Sequence, residues 1–328
     1  MKLTAPHFWF EKKGVIATIL HPFAVLYAAF GNYLRSRITP QKMSVPVICI
    51  GNVVLGGSGK TPIVQLLAKH LQNQGFSPHV ISRGYGGYLK GPVRVDAHLH
   101  TIGEVGDEPL MLSSAVPVWV AKDKVAGAKA AIAAGATVLL LDDGLQNPTL
   151  HKDISFLVID AVRGLGNGCV IPAGPLRETL AESLSKTTAV IWVASNNKNG
   201  NDETLKILSA QKPVIKATSK TVCDIDLMNE NVLAFCGLGH AQKFYDGVKA
   251  LGAKIVKTVD FPDHYVWSAY EIRKLLDDAK SLNARCITTA KDAVRIPQSL
   301  REHIEICDVE ISFNDQTALD KQLRQLKP

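Results

Sequence analysis

Aromatic residues are scarce in this chain, at 6% of its length, and lysine and arginine nowhere form a dense run. A nucleic-acid partner, read by base stacking or a basic stripe, therefore has no footprint in the sequence. Six cysteines, at positions 49, 169, 223, 236, 286 and 307, stand far apart and form no C-x-x-C pair. That spacing speaks against a disulfide framework or a zinc site and fits scattered buried thiols in a reducing cytosol. Low-complexity tracts and internal repeats of useful period are absent as well, which removes the disordered and fibrous classes. What is present is an ordinary globular composition over 328 residues, 46% apolar and 20% charged, enough for one large core or two moderate ones. The formal net charge of +7 favours anionic partners such as a nucleotide or an acidic lipid.

The strongest local signal is Gly51-Asn52-Val53-Val54-Leu55-Gly56-Gly57-Ser58-Gly59-Lys60-Thr61. An apolar run, Val45 to Ile50, leads in, and a helical pattern, Pro62 to Gln74, leads out. Strand, glycine-rich turn and helix is the order a phosphate-binding loop requires. Gly56, Gly57, Ser58 and Gly59 would let backbone N–H groups curl around phosphate oxygens, and the helix start adds partial positive charge. Lys60 would reach the β/γ-phosphates, and the Thr61 hydroxyl would ligate Mg²⁺. Pro62 suits the first helical turn, where its missing N–H is not needed. Val54 stands where the usual pattern has glycine. The remainder is closer to the variant loop of partitioning-type ATPases, with Leu55 in the place of that variant's first lysine.

Further along, Thr137 to Leu141 is an apolar strand ending in Asp142-Asp143-Gly144-Leu145-Gln146. Downstream of a phosphate loop this is the Walker-B arrangement, where a carboxylate meets Mg²⁺ or a water bound to it. The strand His79 to Ser82 runs into Arg83-Gly84-Tyr85-Gly86, the kind of strand-end turn at which open α/β sheets bind ligands. On residue types alone it is equally a surface loop. Asp107 and Glu108 precede a helical stretch, Leu110 to Ala115, and their position favours capping over a role in a cleft. Pro172-Ala173-Gly174-Pro175 sets a turn into an expected helix carrying Arg177 and Glu178, either as a buttress or with Arg177 facing phosphate. Ser195 to Asp202 has the composition of an exposed loop.

Further apolar strands, Pro117 to Ala121, Ser155 to Asp160 and Ala189 to Val193, carry the spacing of right-handed crossovers. They predict an α/β fold, a P-loop NTPase domain with a mostly parallel sheet over residues 39–216. After a linker at 217–230, strands at Val232 to Cys236, Ala253 to Thr258 and Cys286 to Thr289 predict a smaller α/β domain. It occupies 231–328, with a carboxy-terminal return segment. Its loop Phe261-Pro262-Asp263-His264-Tyr265 holds a histidine beside an acid, a pair that serves structure or a cleft.

One long apolar run remains, Gly14 to Phe30, broken by Thr18, His21-Pro22 and Tyr27 and flanked by Lys12, Lys13, Arg35 and Arg37. It lies at the short limit for a membrane-spanning helix, and Pro22 would disturb it. A cleaved signal peptide would export a nucleotide-binding loop into a compartment without ATP. A buried core helix and an interfacial helix both fit; the basic flanks favour the second, making residues 1–38 a monotopic anchor.

In their order, the loop Gly51 to Pro62, Ser82 to Gly86, Gly106-Asp107-Glu108-Pro109, Leu141 to Gln146, Pro172 to Glu178, Phe261 to Tyr265 and Thr289-Ala290-Lys291-Asp292 resemble the tetraacyldisaccharide 4′-kinases of lipid A biosynthesis. The resemblance runs from the hydrophobic amino-terminal segment to near residue 297. It implies a kinase at the cytoplasmic face of the Gram-negative inner membrane. That kinase would transfer the γ-phosphoryl of ATP, with Mg²⁺, to the 4′-hydroxyl of a tetraacylated glucosamine disaccharide 1-phosphate. It implies no obligate protein partner. By motif, Asp107 would be the base and His264 its partner, with Lys60 and Asp143 at the phosphoryl centre. Thr61, Asp142 and Glu108 would serve the metal, and Arg83, Tyr85, Gln146, Arg177 and Glu178 the substrate side. A membrane-associated partitioning-type ATPase switch is the alternative, weakened by Leu55. An insertion GTPase is a third, for which Thr289-Ala290-Lys291-Asp292 is only a shortened guanine-reading motif.

Overall fold

The computed structural model describes residues 5–56, 59–195, 200–324 and 326. It divides into a large unit, built from residues up to Thr218 and from Ser312 onward, and a small unit, Ser219–Ile311.

Seven strands of the large unit are β1 (Val47–Gly51), β2 (Pro78–Ser82), β3 (Val93–Arg94), β4 (Val118–Val120), β5 (Val138–Asp142), β6 (Ile154–Asp160) and β7 (Ala189–Ser195). Strand β8 (Val214–Cys223) begins in this unit, and the spatial order is β8-β7-β6-β1-β5-β2-β4-β3. Pairing is parallel between β1 and its neighbours β5 and β6, and antiparallel where the short β3 meets β4. Every residue of β1, β2, β5 and β6 is buried. Unbroken apolar runs are what a strand covered on both faces requires. The helices here are α1 (Val15–Ser36), α2 (Lys60–Asn73), α3 (Ile102–Val105), α4 (Asp107–Leu112), α5 (Lys124–Ala133), α6 (Leu180–Ser185) and α7 (Asp202–Ser209). Helix α2 buries Ile63, Val64, Leu67, Ala68 and Leu71, one face at helical spacing, and packs on β1, β2 and β5.

Three local expectations change. The helix foreseen from Leu110 starts instead at Asp107 and ends at Leu112. Arg177 and Glu178 are not helical, because α6 begins only at Leu180, where the Thr179 side chain accepts from Glu182 N. Of the foreseen loop 195–202, Ser195 ends β7 and Asp202 opens α7, while 196–199 lie outside the described residues.

Helix α1 is not a core helix. Only Ala17 and Ala24 are buried in it, whereas Ile19, Phe23, Leu26 and Phe30 are each more than 60% exposed. Pro22 lies within it without ending it. Ahead of α1, the chain is tied down where Trp9 Nε1 donates to Pro172 O at 3.0 Å and Asn167 N donates to Trp9 O at 2.8 Å.

In the small unit, β9 (Asn231–Cys236), β10 (Lys254–Asp260), β11 (Arg285–Thr289) and β12 (Glu305–Phe313) take the order β10-β9-β11-β12, all parallel. Helices α8 (Ala241–Ala250), α9 (Ala269–Ser281), α10 (Ala290–Ala293) and α11 (Gln298–Arg301) accompany them. The period of two along β9 divides its side chains between two cores. Val232, Ala234 and Cys236 join Phe244, Tyr245 and Val248, while Leu233 and Phe235 join Trp267, Ile272 and Leu275. After β12 the chain re-enters the large unit as α12 (Gln316–Leu323), where Asp320 Oδ1 meets His70 Nε2 of α2 at 2.8 Å.

Candidate active site at the strand ends of the large unit

Strands β1, β2 and β5 run in one direction, so their carboxyl ends open together at the top of the sheet. The loop after β1 is clipped into place. Leu55 N donates to Pro175 O and Arg177 N to Val53 O, both at 2.8 Å, and Val54 bridges Leu176. Asn52 Nδ2 spans the turn from inside, donating to Val54 O at 2.7 Å and Gly56 O at 3.3 Å. Gly59 has a left-handed φ of 74° and leads directly into α2 with Lys60 and Thr61 at its start. Gly57 and Ser58 lie outside the described residues. Gly51 is required at the end of β1, since a Cβ there would stand 2.5 Å from Leu145 Cβ in the turn after β5.

That turn carries the acidic pair, and its two members differ. Asp143, with a left-handed φ of 54°, lies beside the phosphate loop: Lys60 Nζ is 3.5 Å from its Oδ1, and Arg177 Nη1 donates to both oxygens at 2.9 Å. Burial acts to raise its pKa, but Lys60 and Arg177 outweigh that and hold it below the usual carboxylate range. Asp142 is only 3% exposed, and its Oδ2 accepts from Ser82 Oγ at 3.3 Å while its Oδ1 has no hydrogen-bond partner. Burial, then the Glu108 carboxylate, push its pKa up to about 7 against the pull of Lys60.

Asp107 is buried at the first position of α4, and its Oδ1 accepts from Glu108 N at 3.0 Å. Gly106 brings this helix start against the Arg83–Tyr85 turn. It has a φ of 87°, and a Cβ on it would lie 2.5 Å from Tyr85 O. Arg83 and Tyr85 are both exposed on that turn. Gln146 Nε2 donates to Asn52 O at 3.0 Å and to Glu178 Oε1 at 3.1 Å. Glu178 itself is fully buried and taken up by Lys186 Nζ at 2.7 Å and Ser183 Oγ at 2.9 Å, so it supports the site from behind.

Mg²⁺ is typically held by one or two carboxylates together with nucleotide phosphates and waters, not by an all-protein cage. Among the described residues no cluster of three His, Cys, Asp or Glu could hold an ion. The unpartnered Oδ1 of Asp142 and the raised pKa of its carboxyl would both be relieved by a dication. With the Thr61 hydroxyl and Glu108 the donor set is entirely oxygen, so the residues fit Mg²⁺.

His264 belongs to the small unit. Its backbone is left-handed, with φ of 60°, and Arg295 Nη2 lies 3.2 Å from its Nδ1. A guanidinium only donates, so Nδ1 accepts and the ring proton sits on Nε2, which is 3.7 Å from Asp263 Oδ2. Arg295 is fixed in turn by Asp292 Oδ1 at 3.0 Å, and Asp292 Oδ2 accepts from Thr289 Oγ1 and Gly237 N.

Sequence reasoning missed Asn52, Ser82, Lys124 and Arg295. Lys124 is 5% exposed at the start of α5, donates to Ile81 O at 3.5 Å and is pushed down to about 8 by burial, with Asp142 opposing the shift. Its only signal was a lysine at a helix start. Asn52 and Ser82 stood inside motifs already singled out, and Arg295 follows one of them by three positions.

A family model described as "Tetraacyldisaccharide-1-P 4'-kinase" (LpxK) matches residues 16–327. A "Tetraacyldisaccharide 4'-kinase" of Rhodospirillum centenum is 43% identical, over 99% of this chain and 97% of its own. One from Rhodospirillum rubrum is 38% identical, over 99% and 98% respectively. Among solved structures, the "apo" form of LpxK from Aquifex aeolicus in complex with ATP aligns at a TM-score of 0.74 and 27% identity, covering 95% of this chain and 99% of that one.

Proposed function

Because the chain belongs to the tetraacyldisaccharide 4′-kinase family, we propose that its strand-end site transfers the γ-phosphoryl of ATP to the 4′-hydroxyl of a tetraacylated disaccharide 1-phosphate. Membership in that family disfavours the partitioning-type ATPase switch. The observation that carries the assignment is the family match over residues 16–327, which takes in both the phosphate-loop site and the His264 loop.

In this reading the loop backbone and Lys60 hold the ATP phosphates. Thr61, Asp142 and Glu108 hold Mg²⁺, which when bound neutralises charge on the phosphates. Asp143 keeps Lys60 and Arg177 gathered on the phosphate side, where cations steady the developing charge. Asp107 accepts the proton of the sugar 4′-hydroxyl as its oxygen bonds to the γ-phosphorus. The bond from that phosphorus to the β–γ bridging oxygen breaks, and ADP leaves. A carboxylate of ordinary basicity suffices when the hydroxyl ionises late. By motif, His264 of the small unit is the dyad partner of Asp107. Arg83 and Tyr85 lie on the acceptor side.

Helix α1 lies in the cytoplasmic leaflet of the inner membrane. Its exposed Ile19, Phe23, Leu26 and Phe30 enter the acyl boundary, with Lys12, Lys13 and Arg37 at the headgroups. A lipid acceptor is thereby met where it resides.

The deciding experiment follows labelled γ-phosphate from ATP into a lipid A disaccharide 1-phosphate in detergent micelles. Wild type should label lipid in a Mg²⁺-dependent way, and Asp107→Ala should lose roughly 10²–10⁴-fold of that rate while still binding ATP. Equal labelling by both proteins removes Asp107 as the base; inorganic phosphate without labelled lipid removes the kinase assignment.

A further inference from the structure

We propose that Arg35, at the carboxyl end of the membrane-facing helix α1, is a positioning residue for the phosphate-transfer centre, acting through Glu178 and Gln146. The inference rests on the kinase reading of that centre.

Arg35 is the one basic residue in the last turn of α1, and it points into the protein while Ile19, Phe23, Leu26 and Phe30 point out. Its Nη2 lies 2.6 Å from Glu182 Oε1 and 3.6 Å from Glu178 Oε2. Room for this comes from Gly31, one turn back, where a Cβ would stand 3.1 Å from Arg35 Nη1. A general helix-end cation would need only solvent or an exposed acid. Arg35 meets an acid that is 0% exposed and that faces the site.

From Glu178 the path is continuous. Gln146 Nε2 donates to Glu178 Oε1 at 3.1 Å and to Asn52 O at 3.0 Å, the residue that opens the phosphate loop. Gln146 Oε1 accepts from Arg177 Nη1 at 3.5 Å, and that same nitrogen holds both Asp143 oxygens at 2.9 Å. Asp143 then meets Lys60 at 3.5 Å. The charges behind the site balance: Glu178 and Glu182 face Arg35 and Lys186. Without Arg35, Lys186 alone answers two carboxylates, one of them fully buried. Glu178 then draws harder on Gln146, and Gln146 is the residue that sets both the loop carbonyl and the Arg177 fork.

The test is a double-mutant cycle on lipid phosphorylation in detergent micelles, reading kcat and the KM for ATP alongside thermal melting. Arg35→Gln is expected to lower kcat about tenfold with little change in melting, and Arg35→Lys to recover most of it. Added to Gln146→Leu, Arg35→Gln should cost no more than about twofold further, because the two act along one path. Gly31→Leu, which crowds the guanidinium and removes no charge, should reproduce part of the loss and serves if Arg35→Gln does not fold. Losses that multiply in the double variant, or full kcat in both Arg35→Gln and Gly31→Leu, overturn the inference while leaving the kinase reading in place. A wild-type protein that labels no lipid overturns the reading itself.

Discussion

The large and small units each place an aspartate and a left-handed residue at the carboxyl end of a parallel sheet, yet they treat the acid in opposite ways. In the large unit Asp142 is buried with one oxygen unpartnered, and Asp143 at φ of 54° shares its charge with Lys60 and Arg177. In the small unit Asp292 has both oxygens occupied, by Arg295 on one side and by Thr289 and Gly237 N on the other, and the left-handed residue is His264. An unpaired buried polar atom costs about 1–3 kcal/mol, and a cation reaching Asp142 Oδ1 would offset that cost. The large unit thus leaves Asp142 Oδ1 without a hydrogen-bond partner. At Asp292 the small unit instead closes the charge on Arg295, which also reaches His264 Nδ1.

Removing a charge should therefore hurt the two units differently. The largest effect is expected for Asp292→Asn, which strands the Arg295 guanidinium, 1% exposed, and should cost about 3–5 kcal/mol in denaturant unfolding. Asp142→Asn should act the other way round. Phosphorylation falls about 100-fold or more, while the melting temperature holds or rises because burial and Glu108 weigh more heavily on that carboxylate than Lys60 and Lys124 relieve it. A variant that melts early would make Asp142 a structural acid like Asp292 and erase the contrast. A smaller effect is expected for Gly106→Ala, where the new Cβ meets Tyr85 O at 2.5 Å with φ at 87°; calorimetry should show a loss of about 1–2 kcal/mol. The smallest concerns α1. Leu26→Asn and Phe30→Asn, on exposed positions, should stay within about 0.5 kcal/mol of wild type in stability yet sediment less with anionic vesicles. Unchanged sedimentation would take α1 off the membrane.

Much of the large sheet was legible because its strands are unbroken apolar runs ending in glycine or acid, a pattern local enough to read in a short window. The phosphate loop and Asp142-Asp143 were legible for the same reason. The short β3 carried no such pattern, and its antiparallel pairing with β4 depends on a neighbour rather than on its own residues. The turn Pro172-Ala173-Gly174-Pro175 predicts a helix that already carries Arg177 and Glu178. Thr179 starts that helix later, and the preceding residues are used to pair with the phosphate loop instead. Arg35 and Lys124 could not be recognised at all. What distinguishes them is a partner far along the chain, such as Glu182 for Arg35 or Ile81 for Lys124, and no window around a residue contains that partner.

The pairing of Val53 and Leu55 with Pro175 and Arg177 also bears on nucleotide affinity. A loop that must be ordered by its ligand subtracts the lost backbone entropy, about 1–2 kcal/mol for each residue fixed, from the binding free energy. Val53, Val54 and Leu55 are fixed by the protein itself, so that subtraction has already been made during folding. Phosphate contacts formed by the rest of the loop are then free to appear as affinity.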